Sequence, residues 1–166
     1  MSAEPLTYRS VSLEMALGVA QATVQAAREQ GLCVCVAVVG REGIPVCSLR
    51  MDGAPQLSIG LAADKAWSVT AFGIPTHEWW GLIADDPALL HGITKTPRLI
   101  IFGGGVPLGD AGDLIGAIGV SGGSAQQDQA LASAGAARLI KSVSASEELL
   151  DALVGEAEDI RRVSNA

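Results

Sequence analysis

A glycine-rich stretch, residues 102–123, has the composition in this chain best suited to hold a small molecule. Its first cluster, Gly103 to Gly105, allows backbone angles that a side chain would forbid, or the close approach of a ligand. Its second cluster, Ser121 to Ser124, precedes a helix-compatible segment, and N–H groups at a helix start bind anions. The stretch is therefore predicted to build a small-molecule site. The candidate ligand-binding residues within it are Gly104, Gly105, Val106, Pro107, Ser121, Gly122 and Gly123.

Three side chains are candidate acid–base groups: Lys65, His77 and Asp128. In this hypothesis they act on a carboxylated or aromatic substrate, and the N–H groups of Ser121 to Ser124 stabilise an oxyanion or enolate. For His77, which sits beside two tryptophans, the alternative is a surface position in the first turn of a helix. For Asp128 the alternative is a structural hydrogen bond back to the glycine-rich loop.

Two further charged residues, Arg50 and Asp52, lie in the segment Arg-Met-Asp-Gly-Ala at the end of a predicted strand. Arg50 and Lys65 are candidate partners for a ligand carboxylate, because Arg gives a planar fork and Lys a compact charge. The alternative is local pairing of these cations with Asp52 or Asp64. Both interpretations stay open at the level of sequence.

The segment Gly119-Val-Ser-Gly-Gly123 matches the G-x-S-x-G pattern of serine hydrolases. Such an enzyme needs a histidine to deprotonate the serine, and both histidines, His77 and His91, come earlier in the chain. Ser121 or Ser124 is better explained as the N-cap of a helix. The glycines also lack the GK[ST] ending and the G-x-G-x-x-G spacing of nucleotide-binding loops, so nucleotide binding is not expected.

The chain contains three cysteines, and two of them, Cys35 and Cys47, are candidate metal ligands through their thiolates. Cys35 lies on one predicted strand and Cys47 on the next, across the turn that begins at Gly40. A two-residue loop would pair Val39 with Ile44 and place the two cysteines on opposite faces. A three-residue loop would set them opposite each other. The alternative to a ligand role is that they are small buried hydrophobic side chains.

The pattern of apolar residues predicts an alternation of helices and strands. The first predicted helix begins after a Ser12 cap and ends at Gly31. Three more predicted helices cover 56–72, 76–83, with Thr76 as its cap, and 126–140. Predicted strands cover 32–39, 45–50, 98–102 and 114–120, with a hairpin turn at 110–113. The strand at 32–39 is apolar on both faces and is therefore expected to be an inner strand.

The composition indicates one domain with an aliphatic core. Hydrophobic residues make up 49% of the 166 residues and charged residues only 17%. This low charge leads us to expect subunit interfaces, hence a homo-oligomer, and not a membrane protein, since no apolar run approaches the length of a spanning helix. The net charge of −7 gives no basic stripe for nucleic acid. With no secretory signal at the start, we expect a cytoplasmic protein.

Four segments occur here in an order that resembles the GlcG/HbpS family of haem-binding and haem-degrading proteins. They are LCVCVAVVGREGIPVCSLRMDGAP, LAADKAWSVTAFGIPT, FGGGVPL and IGAIGVSGGSAQQDQALASAG. The same module forms the C-terminal part of PduO-type proteins. The resemblance implies an α/β (α+β) fold with a profilin-like antiparallel sheet of about five strands flanked by helices, usually oligomeric. It also implies haem binding at a subunit surface in some members.

Haem-binding relatives use several axial ligands, among them a His in the first helix, and this chain has none there. The candidate ligands are then Met15, Cys35, Cys47 and His77. We predict a small-molecule-binding protein, with haem as the best choice and an acid–base enzyme or a structural subunit as alternatives. The family-like domain is predicted to cover 1–141. Residues 142–166 are predicted to form an amphipathic helix that packs on the domain or on a neighbouring subunit.

Overall fold

Five helices and four strands make up the part of the chain that the computed structural model describes, which is residues 5–110 and 113–139. Helix α1 (Leu13–Glu29) is followed by the hairpin β1 (Cys35–Gly40) and β2 (Pro45–Arg50), and then by α2 (Ser58–Phe72). A short 3-10 turn (Thr76–Glu78) leads into α3 (Trp79–Ile83) and α4 (Pro87–Ile93). A second hairpin, β3 (Gly105–Asp110) and β4 (Asp113–Ser121), precedes helix α5 at 125–139.

The strands form one antiparallel sheet in the order β2-β1-β4-β3. Strand β1 lies between β2 and β4, and all six of its residues are buried. This confirms the inner strand that its two apolar faces predicted. The α/β fold with an antiparallel sheet is confirmed as well. The described residues contain four strands where about five were expected.

The two faces of the sheet carry different cores. One face packs against α1 and α5 through larger aliphatic side chains such as Val36, Ile118 and Leu131. The other face packs against α2 through small ones, such as Ala37 and Ala62. Because small side chains fill little space, α2 must lie close to the sheet to exclude water.

Gly119 shows how close this approach is. A Cβ atom at Gly119 would lie 1.9 Å from the backbone oxygen of Ala62 in α2. On the other face of the same strand, a Cβ at Gly116 would lie 2.4 Å from the Val39 oxygen. The glycines of β4 therefore serve helix-to-sheet and strand-to-strand packing.

The predicted helix caps are confirmed at two of three places. The Ser12 hydroxyl accepts from the Met15 N–H, and Gly31, at φ 66°, follows the last turn of α1. Ser124 caps α5, since its Oγ accepts from the Gln127 N–H while Gln127 Oε1 accepts from the Ser124 N–H. Thr76 is not a cap: it is buried and its hydroxyl accepts from the Gly105 N–H.

The strand predicted at 98–102 is wrong. The chain turns at 97–98 and then runs through 99–104 without strand pairing. Arg98 has φ 68°, the only positive φ among the described residues other than glycine, and this breaks an extended run. The chain joins the sheet only at Gly105, where β3 begins.

The hairpin register places Cys35 and Cys47 on opposite faces of the sheet. Cys35 pairs with Arg50 and Val38 pairs with Cys47, with a bulge between Val38 and Val39. Neither loop model gave the register itself, because the bulge pairs Val39 with Pro45. The two-residue model gave the correct faces, so these two thiols cannot bind one iron from a single subunit.

No helix within the described residues is long and apolar enough to cross a membrane. The domain boundary at 141 and the amphipathic helix predicted for 142–166 lie outside the described residues.

The close packing of α2 on β4 predicts the effect of adding one methyl group at Gly119. Gly119→Ala should lower the free energy of unfolding by about 1–3 kcal/mol or more, because its Cβ meets backbone that cannot move aside. Gly18→Ala is the matched control: it lies within α1 with nothing within 4 Å of a Cβ, so it should raise stability by about 0.5–1 kcal/mol. Urea denaturation measures both. Equal stability of the two variants would contradict this packing.

Candidate functional site

Two of the three predicted acid–base groups, Lys65 and Asp128, form a buried ion pair. Lys65 Nζ lies 2.8 Å from Asp128 Oδ2 and donates a second hydrogen bond to the Val120 oxygen, also at 2.8 Å. The exposed fractions of the two side chains are 0% and 4%. The pair joins α2 to α5 across the end of β4. Asp128, and not Asp52 or Asp64, is therefore the partner of Lys65.

The surroundings of the Lys65 ammonium group leave it no contact with solvent. The Phe102 ring lies over it, with 5.1 Å between Nζ and the ring centroid. A Cβ at Gly104 would come within 2.7 Å of Nζ. Burial lowers the pKa of Lys65, and the hydrogen bond and charge of Asp128 oppose that shift. The ammonium group is thus enclosed by the glycine-rich loop and not offered to a substrate.

The N–H groups that could have formed an anion site bond to the protein's own side chains. The Gly123 N–H donates to Asp128 Oδ1 at 2.9 Å, which confirms the structural hydrogen bond considered for Asp128. The Gly104 N–H donates to Gln129 Oε1, and the Gly105 N–H to Thr76 Oγ1. In this conformation the loop binds helix side chains at the positions predicted for a ligand.

The other predicted residues of the glycine-rich stretch belong to the sheet or its edge. Val106 and Pro107 lie in β3, opposite Ile118 and Ala117 of β4. Ser121 is the last residue of β4, is buried and pairs with Cys35. A Cβ at Gly122, where φ is 148°, would lie 2.5 Å from the Cys33 oxygen. Close packing explains this glycine as well.

The third acid–base candidate, His77, is separated from the ion pair. His77 is exposed in the 3-10 turn before α3, and no hydrogen bond to its side chain occurs within the described residues. Its neighbours Trp79 and Trp80 differ in exposure. Trp79 is buried with its Nε1 unpartnered among the described residues, while Trp80 is 60% exposed. The structure does not bring His77 together with Lys65 or Asp128.

The predicted cysteine ligands are poorly placed to act as thiolates. Cys35 is only 1% exposed, and burial raises the pKa of its thiol, against a smaller opposite effect of the Arg50 charge. Cys47 is half-buried against α1, 3.5 Å from the Ala16 oxygen, and burial raises its pKa too. Both thiols therefore favour the protonated form near neutral pH, which is a weak metal ligand.

Arg50 and Asp52 lie in a surface cleft between the C-terminal part of α1 and the end of β2, which we name the α1–β2 cleft. Its volume is about 370 Å³. It is lined by Val24, Arg28, Leu49, Arg50, Met51 and Asp52. The three apolar residues are half-buried, and the charged ones are exposed. An apolar floor with two guanidinium groups suits a flat ligand that carries carboxylates.

Backbone contacts fix the loop that forms one wall of the α1–β2 cleft. The Met51 N–H donates to the Val34 oxygen at 3.0 Å, and the Ala54 N–H donates to the Met51 oxygen at 3.1 Å. Gly53, at φ 82°, makes the turn possible. Arg50 Nη2 donates to the Ala54 oxygen, while Asp64 pairs with Arg98. Local pairing of Arg50 with Asp52 or Asp64 is not observed.

Four lining residues of this cleft were not predicted from the sequence: Val24, Arg28, Leu49 and Met51. The apolar type of Val24 and Leu49 is typical of core positions, and Arg28 is typical of a basic residue in the last turn of a helix. A signal was present for Met51, since it stands between Arg50 and Asp52 in the segment Arg-Met-Asp-Gly-Ala. Only the packing of α1 beside β2 shows that the four belong together.

A second surface cleft, of about 470 Å³, lies beside the segment before α1. It is lined by Thr7, Tyr8, Arg9, Arg41 and Asp113. Both of its arginines already have partners: Arg9 pairs with Asp113 at 3.3 Å, and Arg41 donates to the Leu114 oxygen and lies over the Tyr8 ring. The described residues hold no cluster of three or more His, Cys, Asp or Glu that could bind a metal ion directly.

Comparison with known proteins identifies the family. Residues 11–137 match the model of the family described as haem degrading protein HbpS-like. The chain belongs to the HbpS-like family. A 15.0 kDa protein encoded between dhaT and dhaS in Citrobacter freundii is 36% identical over 125 residues, which are 74% of this chain and 87% of that protein.

Solved structures of two relatives share the fold. HbpS of Streptomyces reticuli, in a double-mutant form, is 34% identical with a TM-score of 0.73, covering 82% of this chain and 92% of that one. The PduOC:heme complex is 32% identical with a TM-score of 0.71, covering 78% of this chain and 94% of that one. The family resemblance noted in the sequence is confirmed.

The buried ion pair predicts a pattern of stabilities. Asp128→Ala should lower the free energy of unfolding by about 3–5 kcal/mol, because it leaves the Lys65 ammonium group buried without its counter-charge. The double variant Lys65→Met/Asp128→Ala should lose less than Asp128→Ala alone, since the charge is gone as well. Chemical denaturation measures each variant.

The exposed pair Arg98–Asp64 supplies the control. Its side chains are 45% and 31% exposed, so Asp64→Ala should cost about 1 kcal/mol or less. If Asp128→Ala cost no more than Asp64→Ala, the ion pair would not have the structural role described above.

Proposed function

We propose that this protein binds haem, and that the α1–β2 cleft is where it binds. The observation that carries the proposal is the 32% identical PduOC structure, which was solved as a complex with heme and is nearly covered by this chain. The family description as haem degrading, HbpS-like, supports it further. The location in the α1–β2 cleft is argued from the residues of this chain.

The lining of the α1–β2 cleft fits the chemistry of haem. Val24, Leu49 and Met51 present half-buried apolar surface, against which a porphyrin face can be desolvated. Arg28 and Arg50 stand at the polar part of the lining, two cations for the two propionates of haem. Bound there, haem would supply a redox-active iron. The chain itself would bind the ring, orient it and pair with its carboxylates.

The charge pattern distinguishes this cleft from the other polar regions. In the glycine-rich loop the Lys65 cation is already neutralised by Asp128. In the second cleft Arg9 pairs with Asp113. In the α1–β2 cleft, neither Arg28 nor Arg50 pairs with a carboxylate among the described residues, and Asp52 is the one acidic residue of the lining. In the second cleft Arg41 alone lacks such a partner, since it donates to a backbone oxygen. A dianionic ligand gains most where guanidinium charge is uncompensated.

The alternative, an acid–base enzyme using Lys65, His77 and Asp128, has no comparable support. It would require the Lys65–Asp128 pair to open and to reach an exposed His77 on a separate turn. Opening would leave charge unpaired in the interior, at a cost of several kcal/mol. Haem binding needs no such rearrangement, and we therefore prefer it.

A haemin titration followed by absorbance tests this proposal. The wild-type protein should show saturable binding with a Soret shift. The variant Arg28→Ala/Arg50→Ala should raise the Kd by on the order of tenfold or more, since each lost charge-assisted contact costs at least about 1 kcal/mol. Non-saturating absorbance with the wild-type protein would refute haem binding.

Two controls separate the cleft from a general charge effect. Arg9→Ala/Arg138→Ala removes two exposed arginines elsewhere and should leave the Kd within about twofold. The dimethyl ester of haemin, whose carboxylates are blocked, should bind the wild-type and Arg28→Ala/Arg50→Ala proteins with similar affinity. Equal losses in the two double-arginine variants would place haem outside the α1–β2 cleft.

We also propose that the protein forms a homo-oligomer through the surface near α3. Three large apolar side chains there are more than half exposed: Phe72 at 53%, Trp80 at 60% and Leu82 at 63%. Exposed aromatic and aliphatic side chains in one region are typical of subunit interfaces.

Light scattering after size-exclusion chromatography tests the oligomer. The wild-type mass should be a multiple of 16.9 kDa. Trp80→Ser/Leu82→Ser should lower it towards the monomer while circular dichroism stays unchanged, because these side chains add little to the monomer core. Ile44→Ser, at an exposed residue in the β1–β2 turn, is the matched control and should keep the wild-type mass. A monomeric wild-type protein would contradict the proposal.

A further inference from the structure

We propose that the thioether sulfur of Met51 is the side chain that ligates the haem iron in the α1–β2 cleft. This inference rests on the proposed function, since it concerns the same cleft and the same ligand. It assigns a role to a residue for which the sequence predicted none, and it replaces Met15, Cys35, Cys47 and His77 as candidate ligands.

The chemistry of the cleft lining selects Met51. Axial haem ligands in proteins are His, Cys, Met and Tyr side chains. Of the six residues that line the cleft, only Met51 belongs to this set. Asp52, its neighbour, offers a carboxylate, which is a hard oxygen ligand better suited to Mg²⁺ or Ca²⁺. The guanidinium groups of Arg28 and Arg50 cannot ligate, because they remain protonated.

The backbone at Met51 is held in place, and its half-buried side chain lies between the main core and the cleft. Its N–H donates to Val34 and its oxygen accepts from Ala54, so the residue is anchored at both peptide groups. Its side chain is half-buried, packs partly against the main core and also lines the cleft. A thioether has rotatable bonds and a polarisable sulfur, which allows it to follow the position of an iron atom.

The position of Met51 between Arg50 and Asp52 matches a ligand with iron at its centre and carboxylates at its edge. Arg50 and Arg28 line the same cleft and supply the charge for the edge. Met51, with Val24 and Leu49, supplies the apolar surface for the ring. None of the other sulfur-bearing residues of the described part lines the cleft. Cys35 is buried, Cys47 contacts α1 and Met15 packs against the main core. Cys33 is exposed and lies beside Gly53.

The experiment compares haemin with iron-free protoporphyrin IX on the wild-type protein and on Met51→Leu. Leucine keeps the apolar volume of methionine and removes only the sulfur, so the fold should tolerate it. Met51→Leu should raise the Kd for haemin by at least on the order of tenfold, the size of effect that changes near a metal ligand produce. The Kd for protoporphyrin IX, measured by fluorescence, should stay within about twofold, because no iron is present.

Spectroscopy and potentiometry give readouts that a packing role would not move. Magnetic circular dichroism of the wild-type haem complex should show thioether ligation, and Met51→Leu should lose it. The midpoint potential should fall in Met51→Leu, because a methionine ligand favours ferrous iron. Met51→His should restore tight haemin binding with an imidazole-ligated spectrum. Met15→Leu, which changes a methionine outside the cleft, should behave as wild type.

The possible failures are distinguishable. If wild-type protein binds no haemin, both the proposed function and this inference are refuted. If haemin binds and Met51→Leu leaves its spectrum and Kd unchanged, Met51 is not the ligand and haem binding stands. If Met51→Leu weakens haemin and protoporphyrin IX equally, Met51 only packs against the ring and the inference is overturned. A phenolate spectrum lost in Tyr8→Phe would overturn it too, and would move the site to the second cleft.

Discussion

The buried ion pair of Lys65 and Asp128 is the constraint around which the rest of this structure is arranged. An ammonium group with no exposure is tolerated only if charge and hydrogen bonds replace water, and here Asp128, the Val120 oxygen and the Phe102 ring do so. These partners come from α5, the end of β4 and the loop before β3. The contacts that Lys65 needs therefore hold these three segments together. Where the segments approach each other closely, as at Gly104, the position requires glycine.

This arrangement determines where a ligand can bind. The glycine-rich loop resembles an anion site in sequence, but its N–H groups and its lysine are bonded within the protein. At the opposite sheet edge, β2 is the outermost strand among the described residues, and the last turn of α1 carries an exposed Arg28. Apolar surface meets two guanidinium groups and one carboxylate there. The interior polar groups thus stabilise the fold, and the edge at β2 is where we propose that haem binds.

Local features of the structure could be predicted from the sequence, and tertiary partners could not. The Ser12 cap and the inner strand β1 follow from residue type and periodicity, which act over a few residues. The link between Lys65 and Asp128 spans 63 positions, and no periodicity reports it. The turn at Arg98 was not predicted, for a physical reason. The Arg98 side chain pairs with Asp64 and lies over the Trp67 ring, and the residue has a positive φ. These are tertiary contacts, so the types of the neighbouring residues do not predict that angle.

The most direct test of this account is the position of the iron in a crystal of the haem-bound protein, located by anomalous diffraction at the iron edge. The account predicts a single iron peak in the α1–β2 cleft, within bonding distance of the Met51 sulfur, with the propionates directed towards Arg28 and Arg50. An iron peak beside His77, in the second cleft near Tyr8, or against the glycine-rich loop would contradict it.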